Sequence, residues 1–203
     1  MAAGEGKPIR TFIAIEIPSR IRDRIGRLQE RLRAVDSQAS WVKPANIHLT
    51  LKFLGDISRD RIESAVSGVE RACAKAAPFE LEANGCGYFP STRNPRVLWV
   101  GSRCDETNGL LGLHAGIEFE LFRAGFAKEK KPFSPHLTIA RLRSPRNARE
   151  VAEQLQRIGF DPERFTVSEV IVMKSELNPS GSIYTPLAKI ALKNDDQQAT
   201  GST

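Results

Sequence analysis

One short phrase occurs twice in this chain, and it constrains the fold more than any other feature. His48-Leu49-Thr50-Leu51 and His136-Leu137-Thr138-Ile139 lie 88 residues apart. A histidine followed by Leu, Thr and an aliphatic residue seldom recurs at ordinary residue frequencies, so an internal duplication is the better reading. Each phrase sits in an alternating apolar and polar run, the signature of a β-strand with one buried face. Across residues 46–54 the alternation predicts Ile47, Leu49, Leu51 and Phe53 on one face and Asn46, His48, Thr50 and Lys52 on the other. Side chains at i and i+2 share a face, so each phrase presents an imidazole beside a hydroxyl while its leucine turns to the core. Two such strands related by a pseudo-twofold bring two imidazoles and two hydroxyls to one cleft.

The remaining chain mixes strand and helix patterns. Residues 10–17 read as a strand with Thr11, Ile13, Ile15 and Ile17 on one face and Phe12 and Ala14 on the other. A helix opening at Pro18-Ser19 turns Ile21, Ile25, Leu28, Leu32 and Val35 inward. Its outer stripe of Arg20, Arg24, Arg27 and Arg31 reads as a solvated face. A second helix is capped by Ser58; a third spans 106–123 and a fourth 147–158. Further strands are expected at 79–83, 96–101, 135–142, 165–174 and 183–192. This mixed order predicts an α+β fold, a bilobal duplication with mostly antiparallel sheets flanking a central cleft and helices outside. No Pro/Gly/Ser-rich linker divides the chain, so residues 10–193 are expected to form one bilobal domain. Residues 1–9 and 194–203 offer little to bury and are expected to be flexible ends.

Composition narrows the function classes. Of 203 residues, 40% are hydrophobic and 27% charged, as in an ordinary globular protein. No apolar run reaches the ~18–20 residues of a membrane span, and the start lacks a signal-peptide core. A cytoplasmic protein with no membrane partner is expected. Cys73, Cys86 and Cys104 are odd in number without C-x-x-C spacing, which indicates neither a disulfide framework nor a zinc knuckle. The net charge of +6 is compatible with a polyanionic partner without requiring one.

The paired phrases suit hydrolysis of a phosphodiester. An unperturbed imidazole titrates near 6.5, so at neutral pH one histidine can accept a proton from water while the other delivers one to a leaving oxygen. Threonine hydroxyls can donate to the non-bridging oxygens as charge accumulates there. Neither phrase brings a carboxylate, cysteine or second histidine at ligand spacing, so a metal site is not expected. His114 lies beside the apolar seam of the third helix and reads as structural.

At these residues the sequence resembles the two-histidine (2H) phosphoesterases and, among them, the LigT-like RNA 2′,3′-cyclic phosphodiesterases, historically called 2′-5′ RNA ligases. The resemblance spans about residues 10–192. It is carried by Phe12-Ile13-Ala14-Ile15-Glu16-Ile17-Pro18, by Trp41-Val42-Lys43-Pro44 leading to the first phrase and Lys52-Phe53-Leu54-Gly55, and by Gly87-Tyr88-Phe89-Pro90 with Pro95-Arg96-Val97-Leu98-Trp99. Phe133-Ser134-Pro135 before the second phrase, Ala140-Arg141 after it, and Tyr184-Thr185-Pro186-Leu187 complete it. The resemblance implies conversion of a terminal RNA 2′,3′-cyclic phosphate to a 2′-phosphomonoester, with neither metal nor cofactor. It implies His48 as proton donor to the leaving 3′ oxygen, His136 as the base, and Thr50, Thr138 and Arg141 as phosphate-binding groups.

In a regular strand Arg141 would face away from His136 and Thr138, so this role requires a bulge or a strand end. Phe12 is a candidate for stacking on a base. Lys52 shares the expected face of His48, although a solvated lysine is the simpler reading. The expected partner is RNA with 2′,3′-cyclic ends, tRNA fragments among them, acted on by a monomer. Two alternatives stay open: ligation of RNA ends through a 2′-5′ bond by the reverse reaction, and a non-catalytic module that binds RNA ends.

Overall fold

The computed structural model describes residues 7–91, 93–104, 108–179 and 181–193. The chain runs β1 (Ile9–Glu16), α1 (Ser19–Leu32), β2 (Ala39–Trp41), a 3₁₀ turn (Pro44–Asn46), β3 (His48–Ile57), α2 (Arg59–Cys73), β4 (Phe79–Phe89) and β5 (Val97–Cys104). It continues through α3 (Gly109–Arg123), β6 (His136–Leu142), α4 (Ala148–Ile158), β7 (Glu163–Val167), β8 (Glu169–Glu176) and β9 (Ile183–Ala191). The expected flexible ends fall largely on residues 1–6 and 194–203, which lie outside the described residues. The first positions expected in the third helix lie outside them too. Ile9 already belongs to β1, paired with Ile57.

The strands form one antiparallel sheet in the order β7-β4-β5-β6-β3-β1-β8-β9, with β2 added beside β6. At its centre β3 meets β6 at the pair Leu49↔Leu137, so the two phrases face each other across a pseudo-twofold. On either side the pattern repeats: β3-β1-β8 on one, β6-β5-β4 on the other. In chain order, however, β4 follows α2 in the first half yet pairs with β5 of the second. Strand β8 follows α4 in the second half yet pairs with β1 of the first. Each half lends a strand to the opposite lobe. That exchange explains why no linker composition marks the middle of the chain.

Two expectations need correction. The strand expected at 165–174 is two strands broken at Ser168: β7 pairs with β4 at one edge of the sheet, and β8 pairs with β1 near the other. Both sides of Ser168-Glu169 carry strand-forming residues, and periodicity alone does not mark a strand that changes neighbours. The arginine stripe of α1 is not simply solvated. Arg20 and Arg24 both bind the Glu163 carboxylate, and Arg24 also lies over the Phe160 ring.

Helix α1 has a second task. Ile21, Ile25, Leu28 and Leu32 fill the core at helical spacing, and the buried Gln29 lies among them. Its Nε2 donates to the carbonyls of Val42 and Ile139, 2.8 Å each. Ile139 is an extra residue in β6 relative to β5, and its carbonyl also accepts the Val42 N–H at 3.0 Å. The helix thus supplies the hydrogen bonds that an irregular strand cannot find in its own ladder. Replacing Gln29 by Leu strands the half-buried Val42 carbonyl and weakens the Ile139 one. We expect a loss of about 1–3 kcal/mol in chemical denaturation. An unchanged denaturation midpoint would show that these carbonyls find other partners.

Candidate active site

The same irregularity occurs in both phrases. Opposite β1, Lys52 pairs with Ile13 but Thr50 pairs with the next residue, Ala14, so Leu51 is an extra residue. Opposite β5, Ala140 pairs with Leu98 but Thr138 pairs with Trp99, so Ile139 is extra. A bulge of one residue reverses the faces that follow it. In each phrase the fourth residue after the histidine turns to the core, and the fifth turns to the histidine's side.

This geometry meets the requirement for Arg141, which is exposed five positions after His136. It corrects the expectation for Lys52. That residue is 3% exposed, its Nζ bound to the Glu118 carboxylate and, at 2.9 Å, to the Ala127 carbonyl. Phe53, expected on the apolar face, is instead 53% exposed and lies at the position equivalent to Arg141. Sequence reasoning missed it, although a signal was present: if the +5 residue of one phrase must turn, so must that of its repeat.

Each imidazole has a built seat. The His48 Nδ1–H donates to the Asn46 carbonyl at 2.8 Å, and the His136 Nδ1–H donates to the Ser134 carbonyl at 2.7 Å. A carbonyl only accepts, so Nδ1 carries the hydrogen in both rings and Nε2 is left for a ligand. The His48 ring stacks on Phe12 at 4.7 Å between centroids and meets the edge of Tyr184 at 5.2 Å. His136 stands edge-on to Phe89 at 5.1 Å, and Phe89 packs on Trp99 at 5.2 Å. Trp99 lies across Gly87, where an added Cβ would fall 2.3 Å from the indole. Only glycine fits there.

Phe12, expected to stack on a base, is 2% exposed beneath His48, in a small cluster with Ala14, Ile171 and Met173. It supports the imidazole and has no open ring face. The alternation placed it on the correct face but could not show that His48 and Tyr184 cover it. His114 stacks on Phe133 at 3.9 Å, as its structural reading required.

Because Leu49 pairs with Leu137 in an antiparallel bridge, each histidine falls across from the threonine of the other phrase. Diagonal neighbours in a regular antiparallel pair are about 7–8 Å apart, so the bridge brings the two histidines into one neighbourhood on the sheet. Among the described residues, neither threonine hydroxyl nor the Arg141 guanidinium is engaged in a side-chain hydrogen bond or ion pair. Burial pulls both histidine pKa values below the ordinary range, the backbone carbonyl at Nδ1 offsets part of that, and the positive charge of Arg141 lowers both further. One guanidinium thus acts on both rings. No three His, Cys, Asp or Glu residues among the described ones come together as a metal site.

A family model described as LigT-like phosphoesterase matches residues 15–99 and 104–184, which include both phrases and Arg141. The chain belongs to the LigT-like phosphoesterases. Among its relatives, the RNA 2′,3′-cyclic phosphodiesterase of Methanothermobacter thermautotrophicus is 36% identical over 182 residues, covering 88% of this chain and 96% of that protein. The protein of the same name from Thermotoga maritima is 32% identical over 179 residues, covering 88% and 93%. Among solved structures, TT0787 of Thermus thermophilus superposes with a TM-score of 0.73 at 29% identity, over 92% of this chain and all of that one. E. coli LigT complexed with 3′-AMP gives 0.71 at 25% identity, over 93% and 100%.

Within this family fold, the electrostatic link between Arg141 and the histidines has a direct test. A positive charge disfavours imidazolium, so Arg141→Gln should raise both histidine pKa values toward 6.5. Proton NMR titration of the imidazole resonances would measure this. Unmoved resonances would mean that the guanidinium does not act on the pair.

Proposed function

We propose that this protein hydrolyses the 2′,3′-cyclic phosphate at the 3′ end of RNA to a 2′-phosphomonoester. The observation that carries the reading is the pair of equivalent imidazole seats, each fixing Nδ1 on a carbonyl, on two strands bridged at Leu49↔Leu137. Neutral Nε2 of His136 takes a proton from water as its oxygen bonds to phosphorus. The P–O3′ bond breaks, and protonated His48 gives its Nε2 proton to O3′. Each turnover leaves His136 protonated and His48 neutral, and exchange with solvent restores them. Thr50 and Thr138 donate to the non-bridging oxygens, and Arg141 neutralises the charge that grows on them. Exposed Phe53, at the far end of the cleft from Arg141, offers a ring face to the terminal base in place of Phe12. Support comes from the names of the relatives and from the 3′-nucleotide in the E. coli LigT complex.

The direct experiment is incubation with an oligoribonucleotide ending in a 2′,3′-cyclic phosphate, with the phosphate position of the product determined by NMR. A 2′-phosphate is expected; a 3′-phosphate would reverse the assigned ring opening. Loss of a positioned general acid or base is worth about 10²–10⁴ in rate, so His48→Ala and His136→Ala should each reduce kcat by that order. A variant retaining more than a tenth of wild-type kcat would remove that histidine from proton transfer.

A further inference from the structure

Arg141 does more than face the histidines. It lines a groove of ≈ 410 Å³ whose walls include Trp41, Lys43, Asn46, Arg143 and Tyr184. A shallower extension follows along Gln38, Ala39 and Ser40 and shares Arg143. We propose that this groove holds the RNA strand leading to the cyclic end, so that the enzyme selects oligoribonucleotides over mononucleotides. The inference rests on the cyclic phosphate reading above and extends it to the substrate's length.

Chemical connectivity sets the direction. In a 2′,3′-cyclic end the 2′ and 3′ oxygens are both closed onto one phosphorus, so the rest of the RNA leaves through the 5′ oxygen. A mononucleotide has no chain to place there. The groove begins where the histidines end, since Tyr184 borders both it and the His48 ring. Its three cations, Lys43, Arg141 and Arg143, form no ion pair among the described residues, and no carboxylate is among the described residues that line it. Nearby charges are engaged elsewhere: Arg146 pairs with Asp36, and the Arg33 guanidinium lies over the Trp41 ring at 5.1 Å from its centroid.

The walls are preformed. Strand β2 pairs with β6 through Ser40↔Arg141, the Arg143 N–H donates to the Gln38 carbonyl at 2.9 Å, and its Nη2 donates to Ser40 Oγ at 3.1 Å. Across the groove, Asn46 Nδ2 donates to the Ser182 carbonyl at 2.7 Å, and Gly181 lies near the end of the Lys43 side chain, whose Cε an added Cβ would meet at 3.5 Å. Unneutralised cations tracking away from a phosphate site, with an aromatic between them, are how proteins hold a single strand without reading its sequence.

The test compares kcat/KM for a trinucleotide ending in a 2′,3′-cyclic phosphate, a 2′,3′-cyclic mononucleotide, and that mononucleotide carrying a 5′-phosphate. Wild-type protein should prefer the trinucleotide by about tenfold or more. With Lys43 and Arg143 each neutralising one phosphate, that preference should fall with salt at a log–log slope of about −1.4. In Lys43→Glu/Arg143→Glu the trinucleotide-to-mononucleotide ratio should drop about tenfold and the slope should flatten. Lys43→Gln/Arg143→Gln should give a smaller drop with the same sign, and thermal unfolding verifies that both variants are folded. Equal rates on the trinucleotide and the bare mononucleotide, or a double variant that keeps the preference, would overturn the groove while leaving the cyclic phosphate reading intact. A 5′-phosphorylated mononucleotide as good as the trinucleotide would overturn selection by chain length. Hydrolysis of none of the three would overturn the underlying reading instead.

Discussion

The structure turns on one contact, the bridge between Leu49 of β3 and Leu137 of β6. Both leucines are fully buried, held from behind by the core. Because the pairing is antiparallel, fixing these two residues fixes the relation between the two histidines and the two threonines beside them. Past this bridge the strands part, and β6 takes β2 as its neighbour instead. The parting opens a cleft where a continued ladder would have closed the surface. The two His-x-Thr phrases therefore lie where the sheet is only partly paired, and the Gln29 side chain supplies bonds that the ladder does not.

Duplication supplies the shared chemistry, and departures from it supply the rest. Both halves keep His-Leu-Thr, the bulge and the backbone carbonyl at Nδ1. At the fifth position after the histidine they diverge, with Phe53 in one half and Arg141 in the other. The bulge sends both residues to the cleft side, so one structural device delivers an aromatic ring to one end and a guanidinium to the other. At the fourth position the divergence is hidden from the cleft. Ala140 packs in the core, while Lys52 reaches Glu118 and the carbonyl of Ala127. Desolvating a lysine is costly unless a charge and a polar atom meet it, and both do.

What the sequence revealed, and what it hid, follows from the period of two. His48 and Thr50, like His136 and Thr138, are offset by two within a regular strand, so alternation placed them together correctly. The same alternation failed at Lys52 and Phe53, since a single inserted residue inverts every later side chain and leaves no compositional trace. Arg141 was the visible symptom, a phosphate-binding candidate at an odd offset. Phe12 lay on the expected face, but its burial depends on His48 and on Tyr184 from β9, a strand more than 170 residues later in the chain. Strand exchange between the halves was equally hidden, because β4 and β8 carry ordinary strand patterns that do not name their neighbours.

That exchange bears on how the site works. Were the lobes joined only at β3 and β6, the cleft could widen by a hinge at a single bridge. Instead β4 and β8 cross between halves, and Arg20 and Arg24 of α1 grip Glu163 at the start of β7. Opening the cleft would strain the connections from α2 to β4 and from α4 through β7 to β8, while the ion pairs resist shear between α1 and the sheet edge. The proposed proton transfer by His48 and His136 calls for such stiffness, because donors already aimed at the reacting oxygens need no reorganisation as charge develops. On the proposed reading, selection between substrates falls to the ends of the cleft, where exposed Phe53 and the Lys43–Arg143 groove meet solvent.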